Sequence, residues 1–407
     1  MARLLALLVL LTTSHAAFTE EGEVLDLAEA IRSGAAQVAL RYRFEHVDQD
    51  GFSEDAQAST ARLRLNYGTG AWRNWQAFGE FDYIGTVFLD DYDSGGGTSP
   101  GRARYPLIAD PDGADLNQLY VDYRPSDNWR WRLGRQRILL DDHRFVGNVG
   151  WRQNEQTFDA LSVQGGPWAN TEFFYGYVAN ANRIFGDTVA AGDHRMNTHL
   201  LNARIAVSEQ VLVTPYTYLI DNDDDPASST STFGVRLAGT RSIADQSMSY
   251  IAELATQSDA ADSPASFDAA YVHVDAEWTI PNGMSVAVGF ESLGGDQASP
   301  GAAFRAPLAT LHAFQGWADQ FSTTPDAGIE DLYGRLSYKL SQWQLQAVWH
   351  EFSAQSGGAD YGRELDLSAS RKLGERYALL IKSAHFDAEQ APFVDTSKFW
   401  IMLTADY

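Results

Sequence analysis

The feature that most constrains this chain is a rhythm: segments of about ten residues in which apolar and polar side chains alternate, joined by connectors that are by turns short and long. Successive side chains of an extended strand point to opposite faces. Val38, Leu40, Tyr42 and Phe44 therefore share one face, and Gln37, Arg41, Arg43 and Glu45 the other. In the same way Leu63, Leu65 and Tyr67 oppose Arg62, Arg64 and Asn66, and Val272, Val274, Ala276 and Trp278 oppose Tyr271, His273, Asp275 and Glu277. Leu336, Tyr338 and Leu340 oppose Arg335, Ser337 and Lys339. A charge facing lipid near the bilayer midplane costs ~2 to 4 kcal/mol, and each of these strands keeps one face free of charge. The pattern predicts an all-β fold, a transmembrane antiparallel β-barrel whose outside meets lipid and whose inside meets water.

Period-two runs broken by Gly, Pro, Asn, Asp and Ser place strands near 36 to 47, 58 to 68, 72 to 87, 115 to 123, 129 to 138, 157 to 165, 170 to 181, 196 to 208 and 210 to 221. The second half adds 230 to 241, 246 to 257, 267 to 278, 283 to 293, 329 to 340, 342 to 353, 361 to 372, 376 to 387 and 396 to 406. The count is about 18, with about 16 as the alternative if one hairpin is miscounted; both are even, as bacterial barrels require. Connectors such as Pro281-Asn282 and Gly374-Glu375 are tight, whereas 88 to 114, 139 to 156 and 294 to 328 are long. Short turns are expected at the periplasmic end and long loops outside.

The chain opens with Met1, Ala2 and Arg3, an apolar run from Leu4 to Leu11, and Ser14-His15-Ala16, which reads as a signal peptide over 1–16 cleaved after Ala16. Residues 17–35 are expected to form a periplasmic segment with one short amphipathic helix over Val24 to Ile31, and 36–407 the barrel. That order of elements points to the outer membrane of a Gram-negative bacterium. No later stretch approaches the roughly 18 apolar residues of a membrane-spanning helix. The chain has no cysteine, which excludes disulfides, thiolate metal sites and a Cys nucleophile. Its net charge of −24 lacks the basic footprint of a nucleic-acid binder. Trp72, Trp75, Trp129, Trp131, Trp168, Trp278, Trp343, Trp349 and Trp400 fall near strand ends, which suits interfacial girdles.

Two groups of residues carry a family resemblance. One is Asp26-Leu27-Ala28-Glu29-Ala30-Ile31 with Gly34, followed by the strand Leu40 to Asp48. The other is Gly134-Arg135-Gln136, Asp142 to Gly147, Trp151-Arg152-Gln153-Asn154 and Thr157-Phe158-Asp159-Ala160. Together they resemble the first strand and the inward-folding third loop of the alginate-export family of outer-membrane porins. The resemblance implies an eighteen-stranded barrel with an electropositive constriction that passes a uronic-acid polymer or other anionic solutes.

Arg41, Arg43, Arg62, Arg64, Arg130, Arg132, Arg204, Arg236, Arg335 and Lys382 fall on the polar faces of their strands, while Asp48, Asp50, Asp90, Asp91 and Asp223 to Asp225 crowd the loops. Two readings follow. Basic lumen walls would attract anions, and guanidinium groups match carboxylates in bidentate geometry. Alternatively these cations pair with lumen acids such as Glu45, Glu80, Asp82, Asp122, Glu253, Asp275, Glu277, Glu364 and Asp366, leaving a weakly selective channel. Residues 139 to 156, with Arg144, Trp151, Arg152 and Asn154, are the candidate constriction loop, and Asp159 joins the pore set. The long loops 88 to 114 and 294 to 328 are expected to act as lids.

Asp223, Asp224 and Asp225 could offer oxygens to Ca²⁺, but the segment lacks the glycine and distal glutamate of an EF-hand. There is no His-Glu-x-x-His, and the Gly-x-Ser-x-Gly spacing of Gly97 to Gly101 falls within the long loop 88 to 114 rather than at a strand-to-helix elbow, so no catalytic residue or cofactor is expected. The partners expected are outer-membrane lipid, lipopolysaccharide, an anionic solute or polysaccharide and, for an exporter, periplasmic export components. The runner-up functions are a general small-solute porin and a plugged barrel serving as adhesin or outer-membrane enzyme.

Overall fold

A computed structural model describes residues 26–407; the predicted signal peptide lies outside the described residues. The alternating segments form eighteen antiparallel strands: β1 Ala35–Gln49, β2 Ala56–Gly68, β3 Trp75–Asp91, β4 Gly113–Ser126, β5 Trp129–Gln136, β6 Thr157–Trp168, β7 Thr171–Asn182, β8 Asp193–Ser208, β9 Val211–Ile220, β10 Thr230–Ile243, β11 Gln246–Asp259, β12 Asp268–Thr279, β13 Met284–Leu293, β14 Ile329–Leu340, β15 Trp343–Ser353, β16 Asp360–Leu373, β17 Tyr377–Ala388 and β18 Thr396–Asp406. Each pairs with its sequence neighbours, and β1 pairs with β18 from Ala39↔Asp406 to Gln49↔Thr396, so the sheet closes and has no free edge.

Burial is inverted relative to a water-soluble core. Arg43 is 1% exposed and Glu45 0%, whereas Leu133 is 59% and Val288 61% exposed. The charged face points inward and the apolar face outward, the arrangement lipid demands. Trp75, Trp131, Trp168, Trp278 and Trp349 are exposed on the outer surface. Trp400 is a correction to the girdle assignment. It is fully buried, because it shares a face with its cross-strand partners Glu45 and Lys382.

The predicted strand starting at residue 72 begins instead at Trp75. Trp72 and Trp75 exchange two backbone hydrogen bonds of 2.9 and 2.8 Å around Arg73 and Asn74, both at positive φ, which makes the mirror-image turn that matches strand twist. A short helix, α1 Leu27–Arg32, precedes the barrel, with Asp26 accepting from the Ala28 N–H at its N-terminus. It rests on the rim: the Gly70 N–H donates to Ala30 O at 2.8 Å, and the hydroxyl of Tyr67 reaches the Ile31 carbonyl.

The loops 294–328 and 137–156 do not stand over the barrel. They fold together inside it, joined by a parallel bridge between Val146 and Leu308, with Gly147 N–H to Leu308 O at 2.9 Å and Thr310 N–H to His143 O at 3.0 Å. Phe145, Val146, Trp151, Phe304 and Leu308 of these loops join Phe158, Leu200, Tyr216, Tyr271 and Phe352 of the wall in one apolar cluster. The expectation that 294–328 acts as a lid is corrected accordingly: its apolar residues pack on the inward loop and on the barrel wall, Phe304 against Phe145 and Tyr271 and Phe321 against Phe352 and Phe386.

Candidate constriction of the barrel lumen

The segment Gly150 to Gln153 lies inside the lumen as a turn, with the Arg152 N–H on Val149 O at 3.0 Å; its carbonyls lack sheet partners, and arginines from β1 and β2 supply the missing donors. Arg41 Nη1 donates to Gly150 O (3.1 Å) and Arg152 O (3.0 Å), Arg43 Nη1 to Trp151 O (2.5 Å), and Arg62 Nη1 to Gln153 O (3.1 Å). Four successive carbonyls are thus held by three guanidinium groups, which strand alternation places on one inner face. The loop 92–112 also turns inward: Asp110 accepts from the Gln153 N–H at 2.8 Å and lies 3.5 Å from Arg43.

Side chains of the inward loop complete the anchorage. Glu155 lies between Arg64 (2.7 Å), Arg62 (3.6 Å) and Arg137, and Arg137 also bonds Glu80. Burial raises the Glu155 carboxyl, but Arg137, Arg64 and Arg62 outweigh it and hold it well below the carboxylate range. Arg152 bridges Glu45 (3.2 Å) and Asp319 (3.3 Å). Arg144 reaches across to Glu291 on β13 at 2.5 Å and to Gln315 at 3.2 Å. Asn154 turns its amide oxygen to the Glu155 N–H, 3.0 Å away.

Trp151 lies between a guanidinium and an imidazole. The Arg43 guanidinium carbon sits 4.2 Å from its ring centroid, and His312 stacks on it at 4.5 Å with planes 8° apart. Lys382 Nζ donates to His312 Nε2 at 2.7 Å and sits 3.6 Å from the Trp317 ring, while His312 Nδ1 donates to Asp319 at 2.7 Å. Glu364 accepts from the N–H groups of Trp317 (2.5 Å) and Ala318 (2.8 Å), fixing the second loop to β16. Gly316 makes that approach possible. Its φ is +78°, and a Cβ there would lie 2.4 Å from the Glu364 carboxylate.

The predicted residues divide into groups. Arg41, Arg43, Arg62, Arg64, Arg144, Trp151, Arg152, Asn154 and Lys382 come together at the constriction. Arg130 and Arg132, near the short-turn end of β5, meet Gln164 and Asp122, the latter at 2.6 Å, and Arg204 meets Glu172 at 3.4 Å. Arg236 pairs with Glu253 (2.6 Å) and Asp142 (2.7 Å), and Arg335 with Glu277 (3.2 Å) and Asp275 (3.5 Å). Asp159 is not in the pore. It shares the outward face of β6 with Leu161 and Val163 and forms a rim pair with Arg135 at 2.8 Å.

The acidic loop closes on itself. Asp224 accepts from the Arg195 N–H (2.7 Å) and Nη2 (2.8 Å), which lower its pKa to about 2, and Asn222 Oδ1 accepts from the N–H groups of Asp224 and Asp225. Sequence reasoning missed Asp110, Arg137, Glu155, Glu291, His312 and Asp319, all from loops or the opposite wall; of these, only the Arg137 and Glu155 pair, flanking the inward loop, left a sequence signal.

Charges of both signs line the wall. Arg41, Arg43, Arg62 and Arg64 on β1 and β2 stand beside Glu45 on β1 and Glu80 and Asp82 on β3, while on β11 to β16 the buried carboxylates Glu253, Asp275, Glu277, Glu291, Asp331, Glu364 and Asp366 predominate, with Arg335 paired among them.

A family model described as alginate export matches residues 35–299. No curated protein matches the chain. Among solved structures, Pseudomonas aeruginosa OccK11 (OpdR) superposes with a TM-score of 0.70 at 14% identity over 93% of this chain and 97% of that one. Acinetobacter baumannii OccAB2 gives 0.73 at 12% identity over 93% and 99%, and Pseudomonas aeruginosa OccK9 (OpdG) 0.73 at 14% over 93% and 100%. These likenesses bear on the fold.

Proposed function

The chain belongs to the alginate-export family, and from that premise we propose that it is a passive outer-membrane channel for anionic solutes, uronate-type polysaccharide among them. The observation that carries this reading is the cationic cluster on β1 and β2. Arg41 lies directly opposite Arg62 in register, and its Nη1 donates to backbone carbonyls rather than to a carboxylate. The Nε atoms of Arg41 and Arg62 are buried without a hydrogen-bond partner, and a small cavity bounded by Ala39, Arg41, Arg62, Arg64, Thr404 and Asp406 opens beside them. A solute carboxylate arriving here meets guanidinium donors already held in place at no further ordering cost.

In this reading the short turns face the periplasm and the long loops the outside, lipid and lipopolysaccharide surround the girdle, and residues 17–35 lie on the periplasmic side. Transport follows the solute gradient or periplasmic export components, without catalysis. One set of observations favours the second reading, a polar channel of weak selectivity: Arg43, Arg64, Arg132, Arg152, Arg236 and Arg335 each have a carboxylate within 3.5 Å.

The test is single-channel recording of the refolded protein in planar bilayers, with reversal potential across a salt gradient and then with uronate oligomers added. Anion-selective current that uronates block is the expected result. Open, unselective and unblocked current would support the polar channel, and no current at all would remove the channel function.

A further inference from the structure

Where the inward loop meets the β10 to β12 wall, three ligand-bearing side chains converge outside the arginine cluster. Glu253 on β11 and His273 on β12 are direct cross-strand partners, and Asp142 of the loop reaches them; one ligand atom from each lies within 4.8 Å of the other two.

The histidine is set in one tautomer. The Tyr333 hydroxyl lies 3.0 Å from His273 Nε2 and 2.9 Å from Asp275 Oδ2. Asp275 also faces Arg335 at 3.5 Å and is an acceptor, so the single phenolic proton goes to it. Tyr333 oxygen must then accept from His273 Nε2–H, which leaves Nδ1 with a bare lone pair. Nδ1 is buried and has no hydrogen-bond partner, and His273 as a whole is 6% exposed. A buried acceptor without a donor is costly. An imidazole whose other nitrogen is fixed through a hydroxyl to a carboxylate is the arrangement that presents a metal ligand.

We propose that Asp142, Glu253 and His273 form a site for a divalent transition metal of the Zn²⁺ class, which pins the inward loop to the barrel wall. One imidazole nitrogen and two carboxylate oxygens, with a fourth position for water, suit zinc; calcium takes six to eight oxygens. Arg236 occupies the gap between the carboxylates as a monovalent counter-ion, 2.7 Å from Asp142 Oδ2 and 2.6 Å from Glu253 Oε2. The metal competes with it for those oxygens. The site is separate from the Arg41 cluster, and its assignment does not depend on which solute the channel passes.

The experiment is calorimetric titration of zinc chloride into chelator-treated, refolded full-length barrel, with folding of every variant checked by heat-modifiable gel migration. We expect one Zn²⁺ per barrel, with affinity weakened about tenfold or more by Asp142→Asn and by His273→Ala, and tightened by Arg236→Gln. X-ray absorption should show a single imidazole in the bound shell. Because Asp142 lies in a loop, its isosteric variant remains informative if His273→Ala fails to fold. Binding that survives both ligand variants unchanged, or wild-type binding no tighter than that of Asp142→Asn, would overturn the proposal.

Discussion

At the scale of the residue, the governing fact is that each buried polar atom at the constriction must find a partner, and single protons decide how. Lys382 can only donate, so His312 Nε2 accepts and the imidazole is neutral, its proton on Nδ1 directed at Asp319. Burial lowers the His312 pKa to about 3, with Asp319 pulling it up and Lys382 down. Burial raises the carboxyls of Asp319 and Glu155, but the His312 ring and Lys398 in the first case and Arg137 and Arg64 in the second outweigh it and hold both low. All three groups have folded values below their ordinary ones of 6.5, 3.8 and 4.5. Their stabilisation is therefore complete above those values and is lost as pH falls toward the depressed ones. The loops should stay latched at neutral pH and loosen progressively as pH falls from 6.5 toward 3. Open-channel noise recorded at stepped pH checks this; noise that stays flat across that window would exclude these groups as the latch.

At the scale of the element, two loops far apart in sequence make one internal body, and the wall grips it through Arg144 and Arg152. Removing one partner of a buried ion pair costs about 3–5 kcal/mol, because the other charge is left uncompensated. Arg144→Ala with Arg152→Ala strips two cations from the constriction and leaves Glu291, Glu45 and Asp319 short of a partner. The variant should show a reversal potential shifted toward cations and a larger, noisier conductance. Unchanged selectivity and conductance would take this loop out of the pore. The candidate loop 139 to 156 was legible as a loop with the right residues: its size, Arg144, Trp151, Arg152 and Asn154, and above all the family resemblance marked it. That 294–328 packs beside it was not legible, because Val146 and Leu308 meet across a separation that no local period reports. Asp159 likewise looked like a pore residue in its motif, but strand parity fixed by pairing with Arg135 turns it outward.

At the scale of the whole molecule, closure of β1 on β18 makes the outside a continuous apolar belt, and stability depends on keeping it so. Val288, at the middle of β13 and 61% exposed, should not tolerate charge: Val288→Arg is expected to cost about 2–4 kcal/mol in reversible urea unfolding from lipid vesicles. A loss near zero would place this position away from the hydrocarbon core. The sequence by itself determined the barrel class, the inward and outward faces and the alternation of short and long connectors, and narrowed the strand number to eighteen or sixteen, because side-chain direction has period two and lipid forbids charge on one of the two faces. Trp400 obeys that parity, and proximity to a strand end was a poorer guide to it. Only the tertiary structure decided which arginines grip backbone, which meet carboxylates, and that loops fill the lumen. The grip on backbone depends on contacts across the barrel between residues 91 to 111 positions apart, as in Arg62 with Gln153 or Arg41 with Arg152, and a one-dimensional pattern carries no information about them.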